Sequence, residues 1–310
     1  MGSRYAAARP PSRRHARITS AAMSDLHAPV LDWYDEHARD LPWRAPGATP
    51  WAVLVSEFML QQTPVARVLP VWSAWLATWP TPAALAAEPA GEAVRAWGRL
   101  GYPRRALRLH AAAVAIVDRH GGEVPASYDA LRALPGVGDY TAAAVASFAH
   151  RQRHAVLDTN VRRVLARAVS GTELPPASLT RAERDLATAL LPDEPEVAAC
   201  WAVAVMELGA LVCTAGNPRC DRCPLVDRCA WVAAGRPAHH GPARTVQTYA
   251  GTDRQCRGRL LAVLRDAEGS VPRSALDAVW PGEAQRERAL ASLVADGLVV
   301  ARPDGRFALP

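Results

Sequence analysis

Four of the chain's six cysteines fall in one short stretch, "CTAGNPRCDRCPLVDRC": Cys213, Cys220, Cys223 and Cys229, spaced C-x6-C-x2-C-x5-C. Thiols this crowded force the chain to wrap around a shared centre or to pair as disulfides. No secretory signal directs the protein to an oxidising compartment, which favours a metal centre. Four thiolates suit either zinc or an iron–sulfur cluster, and spacing alone does not choose between them. Cys200, beside Trp201 in an apolar stretch, reads as core, Cys256 has no visible partner, and the nine histidines show no ligand spacing.

Through most of the 310 residues, apolar positions recur every 3.6 residues and strand-like alternation is scarce before residue 297, so the expected fold class is all-α. In "TPWAVLVSEFMLQQT", Trp51, Leu54, Val55, Phe58 and Met59 make one stripe of a buried helix. Further helices are expected over 66–78, 91–97, 104–119, 127–133, 139–149, 160–169, 179–190 and 195–211. Residues 232–255 read as a linker. Beyond it, "RGRLLAVLRDA", "RSALDAVW" and "EAQRERALASLVADG" read as three short helices, and "LVVARPDGRFALP" as two strands around Asp304-Gly305. That order resembles a winged helix-turn-helix module, which either packs without a ligand or contacts DNA.

The longest apolar runs are too short to span a bilayer. The net charge is +6, but residues 1–22 hold five arginines and no acid, which leaves +1 for the body. A polyanion site must therefore be a local patch. Residues 1–24 are expected to be a disordered basic leader, or to precede the true start if that is Met23. All 36 basic residues are arginine, so a Schiff base on a lysine amine is impossible for this chain.

In "LPGVGDYTAAA", Pro135 stops one helix, and Gly136 and Gly138 are expected to adopt backbone angles closed to other residues. The next helix then begins with free amides near Asp139 to Thr141. Such a start, beside glycines that permit close approach, suits a phosphate oxygen, although it also serves as a tight connection between packed helices.

Together, "LPGVG", the aspartate of "VLDTNVRRV" about twenty residues on, and the four-cysteine spacing resemble the helix-hairpin-helix DNA glycosylases that carry a [4Fe–4S] cluster. The likeness runs over roughly residues 28–231. It implies a two-lobed helical fold with an iron–sulfur cluster domain from 25–48 and 151–231, a six-helix domain from 49–150 containing the hairpin, and the winged-helix-like module from 256–310. It also implies that Cys213, Cys220, Cys223 and Cys229 hold the cluster, and that Gly136, Val137 and Gly138 touch DNA. Members with lyase activity place lysine where this chain has Tyr140, so the resemblance implies base removal without strand cleavage. "LDWYDEHARDLPWR", "SEFMLQQT", "GRLGYPRRA" and "LDTNV" are similar to the adenine-specific branch, which removes adenine opposite 8-oxoguanine or guanine.

Breaking an N-glycosidic bond needs a protonated leaving base and support for a cationic sugar, and two carboxylates commonly share these tasks. Glu57 has Val53, Leu54 and Leu60 on its helical face, so its pKa should rise. The resemblance assigns it to adenine N7. Asp158 precedes a helix and reads as an N-cap, a role compatible with an ionised carboxylate facing the sugar cation. Tyr140 and Asn160 are its expected polar neighbours. The resemblance makes Tyr102 and Gln62 wedges that fill the gap left by an extruded base, although either could be ordinary core or surface. Arg44 is a candidate DNA contact, and Arg99, Arg104, Arg105 and Arg108, with Arg162 and Arg163, are candidate phosphate contacts, although the first four could equally be a solvated face.

Expected partners are duplex DNA with A:8-oxoguanine or A:G mispairs, and the expected state is a cytoplasmic, nucleoid-associated monomer. A Nudix-like segment, which reads 8-oxoguanine in many members of the branch, is absent from the sequence. Two alternatives stay open: a thymine or uracil mismatch glycosylase, and a non-enzymatic iron–sulfur DNA-binding regulator.

Overall fold

The computed structural model describes residues 20–239 and 249–310. Eleven helices precede the cysteine loop: α1 (Ser20–His37), α2 (Pro50–Leu60), α3 (Val65–Thr78), α4 (Pro82–Ala86), α5 (Ala90–Trp97), α6 (Arg104–His120), α7 (Tyr128–Arg132), α8 (Asp139–Phe148), α9 (Thr159–Ala168), α10 (Arg181–Ala189) and α11 (Pro195–Leu211). A short α12 (Ala230–Ala233) follows the loop. The C-terminal module comprises α13 (Asp253–Asp266), α14 (Arg273–Asp277), α15 (Glu283–Ala295) and the antiparallel pair β1 (Val300–Ala301) and β2 (Phe307–Ala308).

Local chemistry sets many boundaries. Thr49 caps α2 through Ala52 N with Pro50 in the first turn, Asp158 caps α9, and Thr180 with Glu183 forms a reciprocal capping box at α10. Gly121, at φ +63°, ends α6 in the left-handed conformation that glycine permits.

Two apolar cores organise the body. One gathers α2–α8 around Phe58, Trp75, Trp97, Leu109 and Ile116. The other packs α1 (Leu26, Val30, Trp33) and α9 against α11 and α10. A small apolar patch, Ala143 and Ala144 of α8 with Val156 and Ala202, joins the two lobes. The catalytic candidates lie at this junction.

Several expectations are corrected. Helix α1 begins at Ser20, inside the stretch expected to be a disordered leader; residues 1–19 lie outside the described residues. Pro29 lies within that helix, and a proline normally marks an end, so periodicity alone passed it over. Residues 240–248 of the expected linker also lie outside the described residues. Helix α13 starts at Asp253, earlier than the expected module boundary, and Cys256 is fully buried in the module's core. Cys200 is only half-buried.

The module shares its core with the six-helix lobe, since Leu260, Leu264, Leu293 and Leu298 belong to the same apolar cluster as Val94 and Leu109. Its polar seams are specific. Arg265 Nε donates to Val94 O at 2.9 Å, Arg95 Nη1 to Ala267 O at 2.9 Å, and Gly91 N to Pro310 O at 2.7 Å.

Candidate active site and metal centre

Glu57 sits in the interior turn of α2, 6% exposed, among Val53, Leu54 and Phe58. Burial pushes its carboxyl up to about 7; a hydrogen bond with the Tyr140 hydroxyl opposes that rise, and the negative charge of Asp158 adds to it. Glu57 therefore holds a proton near neutral pH where an exposed glutamate would not. Tyr140, from the first turn of α8, is likewise pushed well above its usual value by burial and by the two acids, so it stays a neutral phenol.

Asp158 arrives from the other lobe. One carboxylate oxygen accepts from Val161 N at 2.7 Å, and the other accepts from Asn160 Nδ2 at 2.7 Å. The cap was expected to hold this acid down, yet its pKa moves up, because burial outweighs the hydrogen bonds to Val161 and Asn160. Asn160 is fixed in turn by Arg163, whose Nη2 donates to Asn160 Oδ1 at 2.8 Å and to Gly209 O at 2.6 Å. The same guanidinium donates through Nε to Cys213 O at 2.6 Å. One arginine thus connects the first cysteine to the Asp158 turn. Gly209 allows α11 to approach: a Cβ there would meet Asn160 Cβ at 2.7 Å and its carbonyl oxygen at 2.8 Å. Sequence reasoning passed over both Arg163's bridging role and Gly209, because neither spacing nor composition marks a contact between α9 and α11.

A third acid, Glu207 of α11, is wholly buried. Arg39 grips it bidentately, Nε to Oε1 at 2.6 Å and Nη2 to Oε2 at 2.7 Å, while Arg44 Nη1 stands 3.0 Å from Oε2. That last approach is too oblique for a hydrogen bond, so Arg44 Nη1 is a buried donor with no hydrogen-bond partner among the described residues. The Arg44 side chain is 19% exposed against Glu207, and its charge also lowers Glu57 and Tyr140. Burial raises Glu207 and its arginines lower it further, for a net pKa below the ordinary glutamate value.

The hairpin keeps its expected free helix start. Gly138 is the N-cap of α8 with no side-chain cap, which leaves the first-turn amides available. Gly136, at φ +77°, requires glycine twice over, because a Cβ would lie 2.6 Å from Arg108 Cβ. Gly138 does not: its φ of −95° is ordinary extended backbone, correcting the expectation for that residue. Val137 is buried and anchors the loop.

Gln62 and Tyr102 both lie in left-handed backbone, at φ +54° and +47°, in the loops after α2 and before α6. Tyr102 is 55% exposed. One of the arginine expectations is corrected. Arg162 is consumed by Glu183, Nε to Oε1 at 2.8 Å and Nη2 to Oε2 at 3.1 Å, with its side chain 12% exposed. Arg104 pairs with Asp296 of the C-terminal module at 3.2 Å. The Arg162 charge is thus taken up, whereas Arg104 is 56% exposed and shares Asp296 with Arg257, which donates to it at 2.6 Å.

Cys213, Cys220, Cys223 and Cys229 line one small pocket with Arg167, Val212, Pro218 and Trp231. Burial pushes the Cys223 thiol up to about 11, and the other three cysteines add to that rise. Arg167, stacked over Trp231, donates to Cys213 Sγ at 3.4 Å and to Thr214 O at 2.8 Å. A convergent set of four thiols, beside a buried cation that favours thiolates, fits a cysteine-bound cluster.

Residues 55–188 match the family model described as HhH-GPD superfamily base excision DNA repair protein, and residues 213–229 match the iron–sulfur binding domain of endonuclease III. A protein named adenine DNA glycosylase from Mycobacterium tuberculosis (strain ATCC 25618 / H37Rv) is 57% identical over 283 residues, covering 91% of this chain and 92% of its own. Another of that name from Mycolicibacterium smegmatis is 56% identical, covering 93% of this chain and 97% of its own. The solved structure of a thermostable thymine-DNA glycosylase superimposes with a TM-score of 0.63 at 25% identity, covering 70% of this chain and all of that one.

Proposed function

Because the chain belongs to the adenine DNA glycosylases of the helix-hairpin-helix superfamily, carries a [4Fe–4S] cluster and excises adenine from DNA in base excision repair, we propose that its substrate is adenine mispaired with 8-oxoguanine or guanine and that it leaves the backbone uncut. The observation that carries the chemistry is the pairing at the lobe junction: a glutamate that keeps its proton to about pH 7 beside a second, hydrogen-bonded carboxyl.

In this reading Glu57 donates its proton to adenine N7 as the C1′–N9 bond breaks and the bonding electrons leave with the base. The sugar becomes an oxocarbenium-like cation, and Asp158 supplies the facing negative charge, aimed by Val161 N and Asn160. Asp158 also raises Glu57, so the shared proton rests on the residue that must give it away. Glu57, once ionised, accepts a proton from the water that attacks C1′. Tyr140 orients Glu57 by hydrogen bonding and holds no amine, so no Schiff base forms. Arg44 Nη1 offers a donor to the base or sugar inside the site. Tyr102 and Gln62 fill the gap in the stack, and the α8 amides with Gly136 hold a phosphate.

The cluster belongs to Cys213, Cys220, Cys223 and Cys229, and its contribution is to shape the loop between them. Among the described residues no helix is long and apolar enough to cross a membrane, and the reading is a cytoplasmic, monomeric enzyme on the nucleoid.

The test is single-turnover excision on duplexes carrying A opposite 8-oxoguanine, guanine or cytosine, with T:G as the rival substrate, each repeated with borohydride. Adenine release from the first two without a trapped covalent adduct supports the proposal. Release of thymine in preference, or a borohydride adduct, would overturn it.

A further inference from the structure

The C-terminus of α2 and the wedge-bearing loops share one unusual partner. Arg105, on the first turn of α6, is 5% exposed and has no carboxylate among its contacts. Its Nη1 donates to Phe58 O at 2.8 Å, Met59 O at 3.1 Å and Gln61 O at 2.6 Å. Carbonyls at a helix end have no intrahelical donor, and here a residue from another helix supplies it. Its Nη2 turns the other way, to Thr63 Oγ1 at 3.0 Å and Gly101 O at 3.0 Å. The guanidinium lies 5.2 Å from the Trp97 ring and 5.5 Å from the Tyr102 ring. Gln62 and Tyr102 therefore hang from carbonyls immediately preceding them in the chain, both held by one planar group, and both stand in left-handed backbone that needs outside support.

We propose that Arg105 is a positioning residue for base extrusion: its buried guanidinium locks the Gln62 and Tyr102 loops into a single rigid wedge and ties that wedge to the helix carrying Glu57. The inference rests on the reading of Gln62 and Tyr102 as residues that enter the base stack. A wedge already rigid before DNA arrives loses little freedom on insertion. Burial lowers Arg105 to about 10, so it remains a cation at neutral pH and adds positive potential behind the inserted residues. Lysine would keep that charge but, as a compact point donor, cannot span acceptors on both sides as the planar fork does.

Full-length Arg105→Lys and Thr63→Val are compared with wild type in single turnover, enzyme in excess. Thr63→Val removes one acceptor of the clamp while sparing most of the fold. Two substrates are used: adenine paired in a duplex opposite guanine, and adenine facing a flexible abasic linker, where little unpairing is needed. The expected result for both variants is a loss of about 10- to 100-fold on the paired substrate, the scale of a small geometric misplacement, with near-normal rate on the unpaired one. The rise in 2-aminopurine fluorescence on extrusion should fall in parallel, and the pH profile should keep its shape. Equal losses on both substrates, or no loss on either, would overturn the proposal. Tyr102→Ala and Gln62→Ala, run alongside, test the underlying reading. If they leave extrusion intact, the wedge assignment falls and the clamp falls with it; if they impair it and Arg105→Lys does not, the clamp falls alone.

Discussion

Glu57→Gln should inactivate the enzyme and stabilise it. The native carboxyl titrates near 7 because it is buried, against 4.5 for an ordinary glutamate, a difference of about 2.5 units. At 1.36 kcal/mol per unit this is about 3 kcal/mol. The folded pKa lies above the unfolded one, so between pH 4.5 and 7 the native state holds a proton that the unfolded chain releases. Stability from this group is complete below about pH 4.5 and lost as pH climbs through 7. A glutamine amide resembles the neutral acid and does not titrate, so the variant escapes the loss. At pH 8 it should exceed wild type by up to about 3 kcal/mol, worth roughly 2–4 °C of melting temperature per kcal/mol for a domain of this general size, and at pH 5 the gap should nearly close. Thermal unfolding of both proteins at pH 5, 6, 7 and 8 measures it, because titrating groups remote from Glu57 cancel in the difference. Single-turnover excision by wild type should fall as pH rises through 7, as the donor ionises. A stability gap that is flat from pH 5 to 8, or a variant less stable at pH 8, would refute the buried neutral acid.

Other expectations test the surroundings. Gly209→Ala should push Asn160 and Asp158 out of place and lower the excision rate by about 10- to 100-fold with unchanged DNA affinity in a gel-shift titration. Cys223→Ser should lower iron content per chain and the visible absorption of the cluster, and weaken DNA binding. Gly91→Ala places a Cβ 2.5 Å from Pro310 O and 2.9 Å from Leu309 Cβ, and should cost about 1–3 kcal/mol in denaturant unfolding while sparing the intrinsic chemistry.

Much of the fold was legible because its signals are local. Thr49 before Pro50, Asp158 before "TNVRRV", and Gly121 after α6 mark helix ends by chemistry contained within a few residues. The elevated Glu57 also follows from its own helix, where Val53, Leu54 and Leu60 surround it. What escaped is non-local. Arg39 and Glu207 are 168 residues apart, and nothing in either neighbourhood names the other. Arg162 looked free because a charged residue's partner is invisible until the chain folds. Arg105 sat in a run of arginines indistinguishable from a solvated face, yet it is the buried member. Helix α1, with Pro29 inside it, is held by packing against α11, a contact that no local pattern announces.

The C-terminal module grips both helices that flank the Tyr102 loop, α5 through Val94, Arg95 and Gly91 and α6 through Arg104. Its leucines are threaded into the same apolar interior, so the module is packed as part of the six-helix lobe. A change anywhere in the module is therefore transmitted to both ends of the loop that carries Tyr102.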